Sequence, residues 1–279
     1  MAKSAGELYI DLLKKSLCYT LYDEPPIPLE LYWSRRGWIK KRLSPVLTRL
    51  FGAMGAKVCV PANYSREQRE GGRIWPVQAH SMIGLKRMNN LSFCVETILK
   101  EGIPGDFIET GVWRGGSCIL MKGILEANGV KDRKVFVADS FRGLPKPDAA
   151  NYPADSGDTH YENSFLAISR QQVEENFRRY DLLDPQVVFL EGWFKDTLPG
   201  LAAQRFALIR LDGDMYESTM DALCHLYPRL VAGGFCIIDD YYLPNCCKAV
   251  QDYRQEHKIL EPIQDIDGVG SFWRRKLAA

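Results

Sequence analysis

The 279-residue chain has no run of about 18 or more apolar residues, which excludes a transmembrane helix. Residues 1–22 carry Glu7, Asp11, Lys14 and Lys15 among their apolar positions, so they lack the unbroken apolar segment of a secretory signal, and a cytoplasmic location is expected. Net charge is almost absent: 36 Lys+Arg against 35 Asp+Glu leave a formal +1, which gives no electrostatic footprint for nucleic acid. The eight cysteines (Cys18, Cys59, Cys94, Cys118, Cys224, Cys236, Cys246 and Cys247) form no C-x-x-C pair and no Cys/His cluster with zinc spacing. They are expected to be reduced and mostly part of the core. No internal repeat or low-complexity tract is present.

What is present reads as one large α/β domain with extensions. At 46% hydrophobic and 25% charged, the composition supports an ordinary core. Prolines 25, 26, 28, 45 and 61 interrupt short helical patterns, and 65–72 (SREQREGG) reads as a mobile loop or lid. A division follows: 1–72 as an N-terminal helical extension and lid, 73–279 as the main domain. Arg35, Arg36, Lys40, Lys41, Arg42 and Arg49, interleaved with Trp33, Trp38, Ile39, Leu43, Val46 and Leu47, suit a solvated helix face backed by a core stripe better than a membrane or partner surface.

Downstream the pattern becomes regular. Strands are expected at 106–110, 134–139, 186–190, 206–211 and 235–239, alternating with helices at 88–101, 115–128, 169–180, 216–230 and 245–257; Gly129 caps the second helix and Gly233–Gly234 breaks the fourth. This alternation predicts a parallel, doubly wound sheet. Residues 259–266 and 269–274 read as a closing antiparallel hairpin around Asp267–Gly268. In such a sheet ligands bind beyond the carboxyl ends of the strands.

Four motifs fall at those ends. Residues 109–116 (ETGVWRGG) follow a strand and open a helix; Gly111 permits the tight turn, and Gly115 and Gly116 allow backbone to approach a ligand. Trp113 breaks the nicotinamide fingerprint, and the acidic Glu109 suits a ligand with a cationic amino group. Asp139, in 139–145 (DSFRGLP), ends the second strand where a carboxylate can accept both ribose hydroxyls of a nucleoside. Residues 211–219 (LDGDMYEST) and 237–241 (IIDDY) each place two carboxylates at a strand end. Neighbouring strand ends lie roughly 5–10 Å apart, and four carboxylates there repel unless something positive sits among them. A hard divalent cation answers that need; Asp214 as a helix cap and Asp240 as a turn residue are the alternatives. His160 could face an acceptor or be an exposed loop histidine. Tyr216 could reach the site or pack, and Trp193 could stack on a cofactor base or belong to the core.

Together 109–116, 139–145, 191–199 (EGWFKDTLP), 211–219, 237–241 and 82–94 (MIGLKRMNNLSFC) resemble the macrocin O-methyltransferase (TylF-type) family, in register from about Ser65 to Arg274. The resemblance implies a class I S-adenosylmethionine-dependent methyltransferase fold: a mostly parallel seven-stranded sheet with an antiparallel C-terminal hairpin. It implies S-adenosylmethionine and Mg²⁺ as cofactors, a homodimer, and a sugar hydroxyl on a natural product as the small-molecule acceptor. It places the metal ligands at Asp212, Asp239 and Asp240 and the general base at Asp214. Cofactor contacts fall on Met82, Glu109, Thr110, Gly111, Ser117, Asp139, Ser140, Gly192, Trp193 and Asp212. A catechol, phenol or polyketide hydroxyl is the alternative acceptor. A metal-dependent hydrolase or a non-catalytic binding module would leave Glu109 and Asp139, or Asp214, without a task.

Overall fold

Every strand of a doubly wound sheet has two faces to bury, and the chain supplies helices to both. The computed structural model describes residues 2–34 and 38–276. In chain order the elements are α1 (Ala5–Leu17), β1 (Ile27–Pro28), α2 (Leu29–Ser34), α3 (Trp38–Gly52), β2 (Cys59–Val60), α4 (Arg66–Glu70), α5 (Gly84–Lys100), β3 (Asp106–Thr110), α6 (Gly116–Ala127) and β4 (Val135–Asp139). There follow α7 (Arg170–Arg179), β5 (Val187–Glu191), α8 (Phe194–Thr197), β6 (Phe206–Leu211), α9 (Tyr216–Leu226), β7 (Leu230–Ile238), α10 (Pro244–Glu256), β8 (Gln264–Asp265) and β9 (Ser271–Arg274).

The main sheet has the order β5-β4-β3-β6-β7-β9-β8. The first five strands are parallel, and β9 and β8 close the edge antiparallel. Helices α1, α5, α6 and α7 cover one face and α9 and α10 the other. The strand order reverses between β3 and β6, the switch point at which such sheets bind ligands. In-register pairing of Thr110 with Leu211, and of Leu211 with Ile238, sets the acidic ends of β3, β6 and β7 in one row.

Three expected elements form differently. Gly233 and Gly234 lie inside β7, where the pairing jumps from Phe206–Leu230 to Leu208–Phe235. The extra residues form a bulge with Gly233 at φ +83°, and a Cβ on Gly234 would meet the Ala207 carbonyl at 2.6 Å. The preceding helix ends earlier, in a 3₁₀ turn at Tyr227–Arg229 that contains a proline. The C-terminal hairpin is confined to Gln264–Asp265 against Ser271–Phe272, since Asp267 folds its side chain back onto the Val269 and Gly270 amides. The segment expected to be a mobile lid contains α4, closed by a reciprocal Ser65–Gln68 capping box, with Arg69 donating to the Tyr19 carbonyl at 2.5 Å.

The N-terminal helix is built into the main core. Ser4 and Glu7 cap α1, and Ile10, Leu13 and Leu17 are buried with α5 and α6. A Cβ on Gly123 of α6 would lie 2.3 Å from the Leu13 side chain. The stripe expected to back α3 does not reach the core: Ile39, Leu43 and Val46 are 57%, 48% and 62% exposed. Arg35 and Arg36 lie outside the described residues. All eight cysteines are free, five of them buried. Among the described residues no helix is long and apolar enough to cross a membrane.

Leu13→Ala removes buried methyls at a contact too tight to collapse. It is expected to lower unfolding free energy by about 2–5 kcal/mol in a urea titration. An unchanged midpoint would show that α1 is only loosely attached.

Candidate active site

At the switch point the chain turns from β3 into α6 through Gly111, at φ +83°, where any Cβ would collide with the Asp212 carbonyl at 1.7 Å. The next tip is tied to this turn. Asp139 accepts from the Val112 amide at 2.8 Å and, through its other oxygen, from the Phe141 amide at 2.7 Å. The Ser140 hydroxyl donates to the Gly143 carbonyl at 2.7 Å and accepts from the Arg142 amide at 3.0 Å, fixing the loop that follows. Trp113, Phe141 and Asp214 all hold positive φ (46°, 55° and 56°), so backbone strain gathers at these tips.

Above the tips lies a cavity of about 430 Å³, a size suited to a small molecule. Met82, Glu109, Gly111, Ser117, Asp139, Ser140, Trp193 and Asp212 line it, as do Asp214, Asp239 and Asp240. Two expected contacts do not. Thr110 follows Glu109 on the strand and so points to the opposite face, fully buried. Gly192 is tied to the neighbouring strand tip, its amide donating to the Asp139 carbonyl at 2.9 Å. His160 does line the cavity, whereas Tyr216 turns away to donate to Asp252 at 3.0 Å.

The acidic side of the cavity is organised by Arg210, which is 1% exposed. It is the cross-strand partner of Glu109 and lies two residues before Asp212, so period-two alternation puts all three on one face. Its guanidinium bonds Glu109, Asp239 and, at 2.9 Å, Asp212. Arg87 of α5 bonds the other oxygen of Asp239 at 2.5 Å and pairs with Asp267, from the hairpin tip, at 3.2 Å. Glu109 also accepts from the Cys118 thiol at 2.8 Å, so its carboxylate is turned to Arg210 and Cys118.

Sequence grouped Asp212, Asp239 and Asp240 as cation ligands; the oxygens that converge within 4.8 Å are those of Asp212, Asp214 and Asp240. Asp239 stands outside this trio because it shares the face of Ile237, where both arginines wait, while Asp240 points the other way. Asp214 and Asp240 form no ion pair with Lys or Arg among the described residues, and Asp240 Oδ2 is buried without a hydrogen-bond partner. A crowded set of hard oxygen donors with one orphaned atom fits a divalent cation.

Titration reflects the crowding. Burial, reinforced by Asp212, pushes Asp214 up to about 7. Burial and Asp239 push Asp212 up to about 6. Burial, Asp214 and Asp212 hold Asp240 well above the usual carboxylate range. Burial opposes ionisation of Asp239 as well, yet Arg210 and Arg87 outweigh it and hold the group below its ordinary value.

Sequence reasoning missed both arginines. Each left a signal: Arg210 is the lone charge within the apolar strand FALIRL, and Arg87 falls on the buried stripe of Leu91, Cys94 and Ile98. Trp75, stacked on Phe165 at 5.3 Å, also lines the cavity and went unread, because its segment has no periodic pattern.

Comparison with known proteins agrees with this architecture. The profile of the macrocin-O-methyltransferase (TylF) family matches residues 6–275, so the likeness extends upstream of Ser65. The 8-demethyl-8-(2,3-dimethoxy-α-L-rhamnosyl)-tetracenomycin-C 4'-O-methyltransferase of Streptomyces olivaceus is 47% identical over 100% of this chain and 97% of its own length. The mycinamicin III 3''-O-methyltransferase of Micromonospora griseorubida is 46% identical over 99% of each chain. The structure of the O-methyltransferase NovP superposes with a TM-score of 0.82, at 44% identity, over 97% of this chain and 99% of that one.

Replacing Arg210 by Met leaves buried carboxylates uncompensated and is expected to lower stability by about 3–5 kcal/mol. Without the guanidinium, Glu109 and Asp212, already raised to about 7 and about 6, rise further above their unfolded values. A raised folded-state acid destabilises once pH exceeds its unfolded value, and the penalty grows until pH passes the folded value. The loss is therefore larger at pH 8 than at pH 6; urea titrations showing equal losses would contradict the charge balance.

Proposed function

The chain belongs to the macrocin O-methyltransferase family and is an S-adenosylmethionine-dependent O-methyltransferase; we propose that its acceptor is a deoxysugar hydroxyl on a natural product, bound with the help of Mg²⁺. The observation that carries this reading is the convergence of Asp212, Asp214 and Asp240 beside a cavity that also meets Asp139. The names of the two sequence relatives, one acting on a rhamnosyl-tetracenomycin and one on mycinamicin III, support the sugar.

Roles follow from position. Asp139 faces the cavity from the second strand tip, held there by the Val112 and Phe141 amides and the Ser140 hydroxyl, a position that suits the ribose hydroxyls of the donor. Met82, Ser140 and Trp193 wall the same space. Asp212 and Asp240 hold the cation in this reading, with Asp214 beside them, while Asp239, each of its oxygens bonded to an arginine, anchors their strand end. When bound, Mg²⁺ supplies Lewis acidity that makes an acceptor hydroxyl easier to deprotonate.

Asp214 takes that proton on a carboxylate oxygen. In the cation-free site burial and Asp212 raise Asp214 to about 7; a bound cation would lower it and leave the carboxylate ionised to accept the proton. Arg210 keeps the acidic tips from drifting apart, so acceleration comes from positioning and charge placement.

The test is transfer of a labelled methyl group from S-adenosylmethionine to a deoxysugar glycoside, its aglycone and a catechol. The glycoside is expected to be methylated and the others not; methylation of catechol or aglycone alone would overturn the sugar reading. Asp214→Asn is expected to lower kcat by about 10²–10⁴-fold with donor affinity unchanged.

A further inference from the structure

Both acidic turns run directly into helices that lack caps of their own: Met215, before α9, and Leu243, before α10, make no side-chain cap bond. The missing acceptor comes from far along the chain. Asp155, 1% exposed, sits at the end of a 3₁₀ turn, Pro153–Asp155, in the long connection between β4 and α7. Its Oδ1 accepts from the Tyr216 amide at 2.7 Å and its Oδ2 from the Glu217 amide at 3.0 Å. The same Oδ1 accepts from Asn245 Nδ2 in the first turn of α10, at 3.1 Å.

One carboxylate thus caps the start of α9 through two backbone amides, whose partial positive charge favours it, and reaches the first turn of α10 through the Asn245 side chain. Three donors satisfy it in a place where an unpaired carboxylate would be strongly unfavourable. The first helix begins two residues after Asp214, and Asn245 lies five residues after Asp240. From the same turn, the Asp158 amide donates to the Asp155 carbonyl at 3.1 Å, and Asp158 holds His160 Nδ1 at 3.0 Å against the cavity. Asp155 itself does not line the cavity, so it acts through the groups it holds.

We propose that Asp155 is the positioning residue of the acidic site: it clamps the starts of α9 and α10 together, sets the spacing of Asp212 and Asp214 on one turn relative to Asp240 on the other, and docks the loop that carries His160 over them. The assignment rests on the cation-binding reading of the preceding section. A cap with only a structural role would affect stability and leave the carboxylate spacing intact; a positioning residue changes cation affinity as well.

The experiment compares wild type, Asp155→Ala, Asp155→Asn and Asn245→Ala. Metal-free protein is titrated with Mn²⁺ followed by electron paramagnetic resonance, and S-adenosylhomocysteine affinity is measured by calorimetry as a control. Asp155→Ala is expected to weaken Mn²⁺ binding about 10–100-fold, the range for residues that support metal ligands. Asp155→Asn, which keeps one acceptor oxygen, restores much of that affinity. Asn245→Ala cuts only the link to α10 and weakens Mn²⁺ binding by a smaller factor, which decides the matter if Asp155→Ala does not fold. S-adenosylhomocysteine affinity is expected to stay within about twofold throughout, since Asp155 lies outside the cavity lining. Wild-type Mn²⁺ affinity in Asn245→Ala and in the folded Asp155 variants would overturn the proposal and leave the cation reading standing. Failure of wild type to bind Mn²⁺ would overturn both.

Discussion

Arg210 sets how closely the acidic strand tips can stand. A guanidinium buried within a parallel sheet is unfavourable unless its donors are met, and here Glu109, Asp212 and Asp239 meet them from β3 and from the ends of β6 and β7. Planarity matters, because a forked donor fixes three carboxylates in direction as well as distance. Arg87 supplies a second positive charge from α5 and ties in the C-terminal hairpin through Asp267. These two charges do not balance the whole group. Asp214 and Asp240 remain without an arginine partner, raised by burial and by neighbouring carboxylates, and this excess of acidic groups is what the cation of the proposed function would answer.

The fold serves this arrangement through close backbone approach. Gly111 lets the first turn lie against the Asp212 carbonyl, and Gly116 lets the start of α6 slide beneath the His80 carbonyl, 2.5 Å from where a Cβ would stand. The turn after β3 and the acidic turn after β6 therefore share a wall of the cavity. Asp139 strengthens the link by bonding the Val112 amide across the β3–β4 tips.

Much of this was legible in the sequence, for physical reasons. Short apolar strands ending in Glu109, Asp139, Asp212 and Asp239–Asp240 announce a parallel sheet with acidic tips; the strand order agrees, and these residues line the cavity. Three things were hidden. Period-two alternation sends Asp239 toward the arginines and Asp240 toward Asp214, but a run of two aspartates does not say which faces where. Gly233 and Gly234 look like a helix stop, and only pairing with β6 reveals a bulge. Asp155 reads as an ordinary loop residue, because its partners, Tyr216, Glu217 and Asn245, lie 61 to 90 positions away along the chain. Local signals were read well; contacts spanning the sheet were not.

The claim that unbalanced carboxylates hold a dication is tested most directly by the protons they give up. Metal-free protein titrated calorimetrically with Mn²⁺ near pH 7, in two buffers of different ionisation enthalpy, reports stoichiometry and proton release together. With Asp214 raised to about 7 and Asp212 to about 6, a fraction of these groups is protonated beforehand. A single ion is expected to bind per chain with net release of protons, and Asp240→Asn is expected to abolish both. Binding and proton release that persist unchanged in Asp240→Asn would contradict the claim.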